Sequence, residues 1–141
     1  MTRGKPPPAA SSPGSVRVRS ETPEIFGISA ALTTPFRPDG SLDTPRLVTH
    51  ARDALSASCR SVTLFGTTGE GASVGTRERH HALHAMIHSG IDPSRIVFAV
   101  QSCSPADAIA QAADAFAEGC RTYLLAPPFY FKSIADDGLL Q

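Results

Sequence analysis

Gly66-Thr67-Thr68-Gly69-Glu70-Gly71 is the stretch of this 141-residue sequence whose residue types and spacing best suit chemistry. Two hydroxyl side chains lie between glycines, directly after the apolar run Ser61-Val62-Thr63-Leu64-Phe65 and ahead of a helical pattern. A strand that ends in such a turn and feeds a helix makes an anion pocket, because backbone N–H groups and hydroxyls converge there. The spacing predicts a site for a small carboxylate or phosphate, with a purely structural turn as the competing reading. It does not fit nucleotide motifs: the glycines do not match G-x-G-x-x-G, and no G-K-[ST] follows.

Other reactive side chains are weaker candidates. His80, His81, His84 and His88 fall on one predicted helix, and 80, 84 and 88 share a face at the spacing that can bind a metal. No carboxylate completes a set, so a solvated face and no metal are expected. Cys103 is expected to be a small buried thiol, and Glu70 a structural acid accepting backbone N–H groups at the turn. Arg121 is expected on the surface. The sequence holds two lysines, Lys5 and Lys132.

The elements that position the 66–71 stretch alternate with a regular beat. Apolar runs at 28–32, 61–65, 96–100 and 122–126 read as buried parallel strands. Between them come three helical patterns. The first starts at Thr44 as N-cap with Pro45 just inside and turns Leu47, Val48, Ala51 and Leu55 inward. The second starts at Thr76, with Glu78 in its first turn, turns Leu83 and Ile87 inward and stops at Gly90. The third is capped by Ser104 with Pro105, repeats Ile109, Ala112, Ala113 and Phe116, and ends at Gly119. The order β-α-β-α-β-α-β implies a parallel sheet with helical crossovers, either an open doubly wound sheet or a barrel. In both, ligands sit at the C-terminal ends of the strands.

Composition narrows the class. With 41% hydrophobic and 18% charged residues the folded part is globular. A formal net charge of zero gives no reason to expect nucleic acid or an anionic membrane surface as partner. No run approaches ~18 apolar residues, so no membrane-spanning helix is expected. Three unpaired cysteines, Cys59, Cys103 and Cys120, favour free thiols and a cytoplasmic location. Residues 1–22, rich in Pro, Ser and Arg, read as a disordered tail, leaving 23–141 as the folding part.

Several of these stretches, taken together, resemble the dihydrodipicolinate synthase/N-acetylneuraminate lyase family of pyruvate-dependent class I aldolases. Gly66-Thr67-Thr68-Gly69-Glu70 is similar to the family signature. Thr34-Pro35-Phe36 with Asp39-Gly40 and Asp43 resembles the first strand-loop. Glu78-Arg79 stands where the second helix begins, and Pro128-Phe129-Tyr130 resembles the proline-tyrosine-tyrosine segment after the fourth strand. The resemblance runs from about residue 25 to 141.

It implies an α/β fold of the (β/α)₈ TIM-barrel type. Such a barrel takes about 250 residues, so the chain is expected to cover its first four strands and three helices, a half-barrel. The implied chemistry is condensation or cleavage of pyruvate, or a related 2-oxo acid, with an aldehyde through a lysine Schiff base and no cofactor. Gly66, Thr67 and Thr68 would hold the carboxylate. Thr67 and Tyr130 would be catalytic, as members of a proton relay in which the tyrosine reaches into a neighbouring subunit of a homo-oligomer. The sequence departs from the family at Phe129, which lacks the first tyrosine's hydroxyl, and at Gln101-Ser102-Cys103-Ser104, which is not the commonest choice. The Schiff-base lysine of the family lies on the sixth strand, and Lys132 does not match it. The alternative expectation is therefore an inactive truncated fragment, or a half-barrel that binds a small carboxylate or a protein partner.

Overall fold

The computed structural model describes residues 27–130; the tail, Lys5 and Lys132 lie outside these residues. The order is β1 (Ser29–Ala31), α1 (Thr44–Ser56), β2 (Ser61–Leu64), α2 (Thr76–His88), β3 (Ile96–Val100), α3 (Pro105–Ala117) and β4 (Thr122–Leu125). Short 3₁₀ turns at Gly71–Ser73 and Pro93–Arg95 precede α2 and β3. The four strands form one parallel sheet in the order β1-β2-β3-β4, with Ala30 opposite Val62, Val62 opposite Ile96 and Phe98 opposite Tyr123. A helix fills every crossover, as parallel pairing of sequential strands requires. No helix of the described residues is long and apolar enough to cross a membrane.

Local chemistry sets the helix starts. Asp43, not Thr44, caps α1: its carboxylate accepts from Arg46 N at 3.2 Å. An ionised carboxylate is a stronger acceptor than a hydroxyl and favours the positive end of the helix dipole. At α2, Glu78 Oε2 accepts from Gly75 N at 3.0 Å, and at α3 Ser104 Oγ accepts from Asp107 N at 3.3 Å. Gly119, at φ +98°, turns the chain out of α3 in the left-handed region that suits glycine.

β3 is buried at all five positions, covered on both faces. Leu47 and Ala51 of α1 and Leu83 and Met86 of α2 are fully buried against the sheet. Each large aliphatic side chain of this core contributes about 1.5–3 kcal/mol. The third helix behaves differently. It buries Gln111 and Ala115, whereas Ile109 and Phe116 are 70% and 57% exposed. On β4, Leu124 and Leu125 point to opposite faces and are both exposed. Ile109 and Phe116 of α3 and Leu124 and Leu125 of β4 are thus the apolar side chains of these two elements left open among the described residues.

Cys120, wholly buried at the start of β4, has its thiol pushed up to about 11, first by burial and then by the Glu118 charge. The folded state therefore favours the neutral thiol, and its advantage is lost as pH rises from the ordinary 9.0 toward about 11. Cys59 and Cys103 are only half-buried, so Cys103 is not the enclosed thiol its sequence context predicts. Iodoacetamide at about pH 8 is expected to modify these two in the native chain and to reach Cys120 only after denaturation. Mass spectrometry of the native product showing Cys120 alkylated as fast as the others would contradict that burial.

Candidate functional site

The parallel sheet delivers every post-strand loop to one edge. Thr33 and Thr34 follow β1, the 65–71 turn follows β2, Gln101 to Ser104 follow β3, and Pro127 to Tyr130 follow β4. Gly66, Thr67, Thr68 and Tyr130 therefore share the C-terminal edge.

The turn after β2 is held in a demanding conformation. Phe65 (φ 59°) and Glu70 (φ 51°) both sit in the left-handed region, which costs non-glycine residues about 1–2 kcal/mol each. For a buried aromatic such backbone geometry persists only where the surroundings enforce it. Phe65 is 1% exposed, its ring edge-on to Phe98 at 5.8 Å and facing the Arg79 guanidinium at 5.6 Å. Thr34 Oγ1, also buried, donates to Gly69 O at 2.5 Å and ties the first loop to the turn. Within the turn, Glu70 N donates to Thr67 O at 3.1 Å and Gly71 N to Gly66 O at 3.1 Å.

Two of the three glycines are required by the protein itself. A Cβ on Gly69 would lie 2.8 Å from Leu32 O, and one on Gly71 would lie 1.8 Å from Phe65 O and 2.6 Å from Gln101 Oε1. Gly66 is different: its nearest neighbour would be Leu124 Cδ2 at 3.5 Å, an ordinary contact.

This framework leaves the tip of the turn uncommitted. Thr67 and Thr68 are exposed, and neither hydroxyl makes a hydrogen bond to Tyr130 or to any other described residue. The N–H groups of Thr67, Thr68 and Gly69 donate to no described acceptor either. Donors gathered on a rigid turn, with no protein acceptor, suit a carboxylate or phosphate. Glu70 is exposed and makes no capping hydrogen bond, which corrects the expectation that its carboxylate accepts from the turn's N–H groups.

Beneath the turn lies a polar network that the sequence pattern did not reveal. Arg79, 1% exposed, donates through Nε to Val74 O at 3.0 Å, through Nη1 to Ala99 O at 3.0 Å and Gln111 Oε1 at 3.1 Å, and through Nη2 to Gly71 O. Burial pushes its guanidinium below the ordinary value. Gln111 Oε1 also accepts from Gln101 N at 3.1 Å. Gln101 Oε1 is buried beside Gly71 without a partner among the described residues.

The histidine face lies on the outside of α2. His84 Nδ1 is 2.9 Å from Glu118 Oε1, and His80 Nδ1 is 3.8 Å from Asp114 Oδ2. Carboxylates thus do approach, supplied by α3 and out of reach of any reading of α2 alone. Each carboxylate pairs with one histidine, and His88 Nδ1 lies 3.0 Å from His84 O instead. Among the described residues no group of three or more His, Cys, Asp or Glu side chains is arranged to hold a metal ion. Arg121 is exposed, with its guanidinium over the Phe116 ring at 4.0 Å.

The Dihydrodipicolinate synthetase family matches over residues 24–141. A 4-hydroxy-tetrahydrodipicolinate synthase of Mycolicibacterium gilvum (strain PYR-GCK) is 33% identical over 102 residues, covering 72% of this chain and 34% of that protein. The dihydrodipicolinate synthase structure from Agrobacterium tumefaciens str. C58 is 58% identical with a TM-score of 0.77, over 81% of this chain and 40% of that one. A pyruvate complex of a triple variant of Sulfolobus solfataricus 2-keto-3-deoxygluconate aldolase shares the fold, with 24% identity and a TM-score of 0.73 over 81% of this chain and 38% of that one. The chain spans 34% to 40% of the length of these proteins.

Proposed function

The chain belongs to the dihydrodipicolinate synthetase family and folds as part of a (β/α) barrel, and from this premise we propose that its 66–70 turn cradles the carboxylate of pyruvate or a related 2-oxo acid. One observation carries the reading: the free N–H groups and two exposed hydroxyls at the tip of a turn that the surrounding protein holds rigid. The Sulfolobus structure supports it too, as an instance of pyruvate accommodated by this fold.

In this reading Gly66, Thr67 and Thr68 bind substrate, and Thr67 and Tyr130 move protons. The reaction is an aldolase or lyase step. A lysine amine adds to the C2 carbonyl of the 2-oxo acid, and the resulting carbinolamine loses water to give a Schiff base. Both steps need a proton carried to or from oxygen, which a positioned hydroxyl chain supplies. No metal or organic cofactor takes part. The Thr67 hydroxyl makes no hydrogen bond within the described residues, and in this reading its relay partner is Tyr130 of a second subunit in a homo-oligomer. The setting is cytoplasmic.

A second reading is that the 141-residue chain binds a carboxylate without turning it over. The absence of any lysine among residues 27–130 favours it. Borohydride reduction with pyruvate separates the two: no adduct is expected on this chain, and an adduct would point to Lys132 as the amine. For the cradle itself, Thr67→Val and Thr68→Val are each expected to weaken pyruvate binding at least about tenfold, the worth of one hydrogen bond to a charged group. Equal affinity of both variants and the parent would exclude the turn as the carboxylate site.

A further inference from the structure

We propose that Arg79 is the positioning residue of the carboxylate cradle and that its unmatched charge makes the cradle selective for anions, an inference that rests on the carboxylate-binding reading above. Arg79 is the largest fully buried side chain among the described residues. Buried guanidinium groups are ordinarily paired with an acid. Here every acceptor is neutral: the carbonyls of Gly71, Val74 and Ala99, and the Gln111 side-chain amide. Arg79 forms no ion pair with any described carboxylate.

The mechanical half of the role follows from the contacts. Arg79 holds the Gly71 carbonyl, while Gly71 N holds the Gly66 carbonyl, so both ends of the turn are pinned through one residue. Its guanidinium also faces the ring of Phe65, the residue whose left-handed backbone launches the turn. Phe65 lies between that cation and Phe98, and it can neither rotate away nor relax to an extended backbone without breaking these contacts.

The electrostatic half follows from what Gln111 is. Its Oε1 accepts from both Arg79 and Gln101 N, a place where a glutamate would fit sterically and neutralise the charge. A neutral amide satisfies the hydrogen bonds and leaves the positive potential in place. In a low-dielectric interior that potential is weakly screened and extends to the donors at the turn's tip.

Gln111→Glu tests this most sharply. It keeps an acceptor for Arg79 and cancels its charge, and the loss of the long Nε2 donations to Thr76 Oγ1 and Gln101 O, both 3.4 Å, is a structural change that methyl pyruvate reports. Pyruvate is expected to bind about tenfold more weakly to this variant, the size of one partly screened charge interaction, while the neutral ester methyl pyruvate binds as it does to the parent. A purely structural role for Arg79 would move both ligands together or neither. Arg79→Lys, which keeps the charge and loses the fork, is expected to speed hydrogen exchange of the Gly71 amide and to retain the preference for pyruvate over its ester. Unchanged pyruvate affinity in Gln111→Glu would overturn the electrostatic role, and unchanged Gly71 exchange in Arg79→Lys the positioning role. If the parent chain bound neither ligand, the carboxylate reading would fall, and the exchange measurement would still decide the positioning role.

Discussion

Gly71→Ala is expected to destabilise the fold by at least about 3 kcal/mol and to abolish carboxylate binding. The added Cβ would stand 1.8 Å from Phe65 O, well inside any tolerable contact, and 2.6 Å from Gln101 Oε1. The obstacle on one side is backbone, which cannot swing aside as a long side chain does. Relief requires moving Phe65 or Gly71, and both are fastened: Phe65 by Phe98 and Arg79, Gly71 by Arg79 and Gly66. The turn would open and its donors diverge. Gly66→Ala is the control, because a Cβ there meets Leu124 only at 3.5 Å. It should leave thermal unfolding within about 1 kcal/mol of the parent, the ordinary cost of a minor surface or turn change, and impair pyruvate binding alone. Equal stability losses at Gly66 and Gly71, measured by denaturant titration, would contradict the steric account of the turn.

The second large effect concerns the open side of the sheet. The 141-residue chain is expected to self-associate at micromolar concentration, driven by Ile109 and Phe116 on α3 and Leu124 and Leu125 on β4. Parallel edge strands expose unpaired N–H and C=O groups as well as these side chains, and β1 and β4 are both edges of the described sheet. Phe116→Glu with Leu125→Lys should shift the sedimentation profile toward monomer, since a charge placed in a newly buried apolar contact is strongly disfavoured. A parent chain that sediments as a monomer and unfolds in one sharp cooperative transition would show that the exposed seam needs no cover.

Much of this architecture was legible in the residues. The apolar runs marked all four strands, and Ile96 to Val100 matched to the residue because a strand buried on both faces needs no alternation. Ser104 with Pro105, and Gly90 and Gly119, marked helix ends for reasons that are wholly local. Failures came where another group, adjacent or distant, outweighed the expected one. Thr44 is a sound cap by composition, yet Asp43, the stronger acceptor, took the position. The third helix reads as if Ile109 and Phe116 should face the sheet. They are exposed, and Gln111 is buried, because its amide is needed by Arg79 and Gln101.

The site was partly legible in the same way. Glycine spacing and two threonines drew attention to the turn, and the family resemblance is what proposes a 2-oxo acid as its ligand. Thr34, Arg79, Gln101 and Gln111, which support the turn from four other segments, carry no signal of that role in local pattern. Arg79 stood in the Glu78-Arg79 pair, and its partners are 5, 8, 20 and 32 residues away in sequence. Glu70, prominent in the motif, makes no capping hydrogen bond within the described residues.

The carboxylate cradle is tested most directly by following the backbone amide resonances of the 141-residue chain while pyruvate is added. Saturable shifts concentrated at Thr67, Thr68 and Gly69, with the Cys59 and His84 amides unmoved, are the predicted result. Saturable pyruvate binding that leaves those three amides unchanged, or no binding at all by a folded chain, would contradict it.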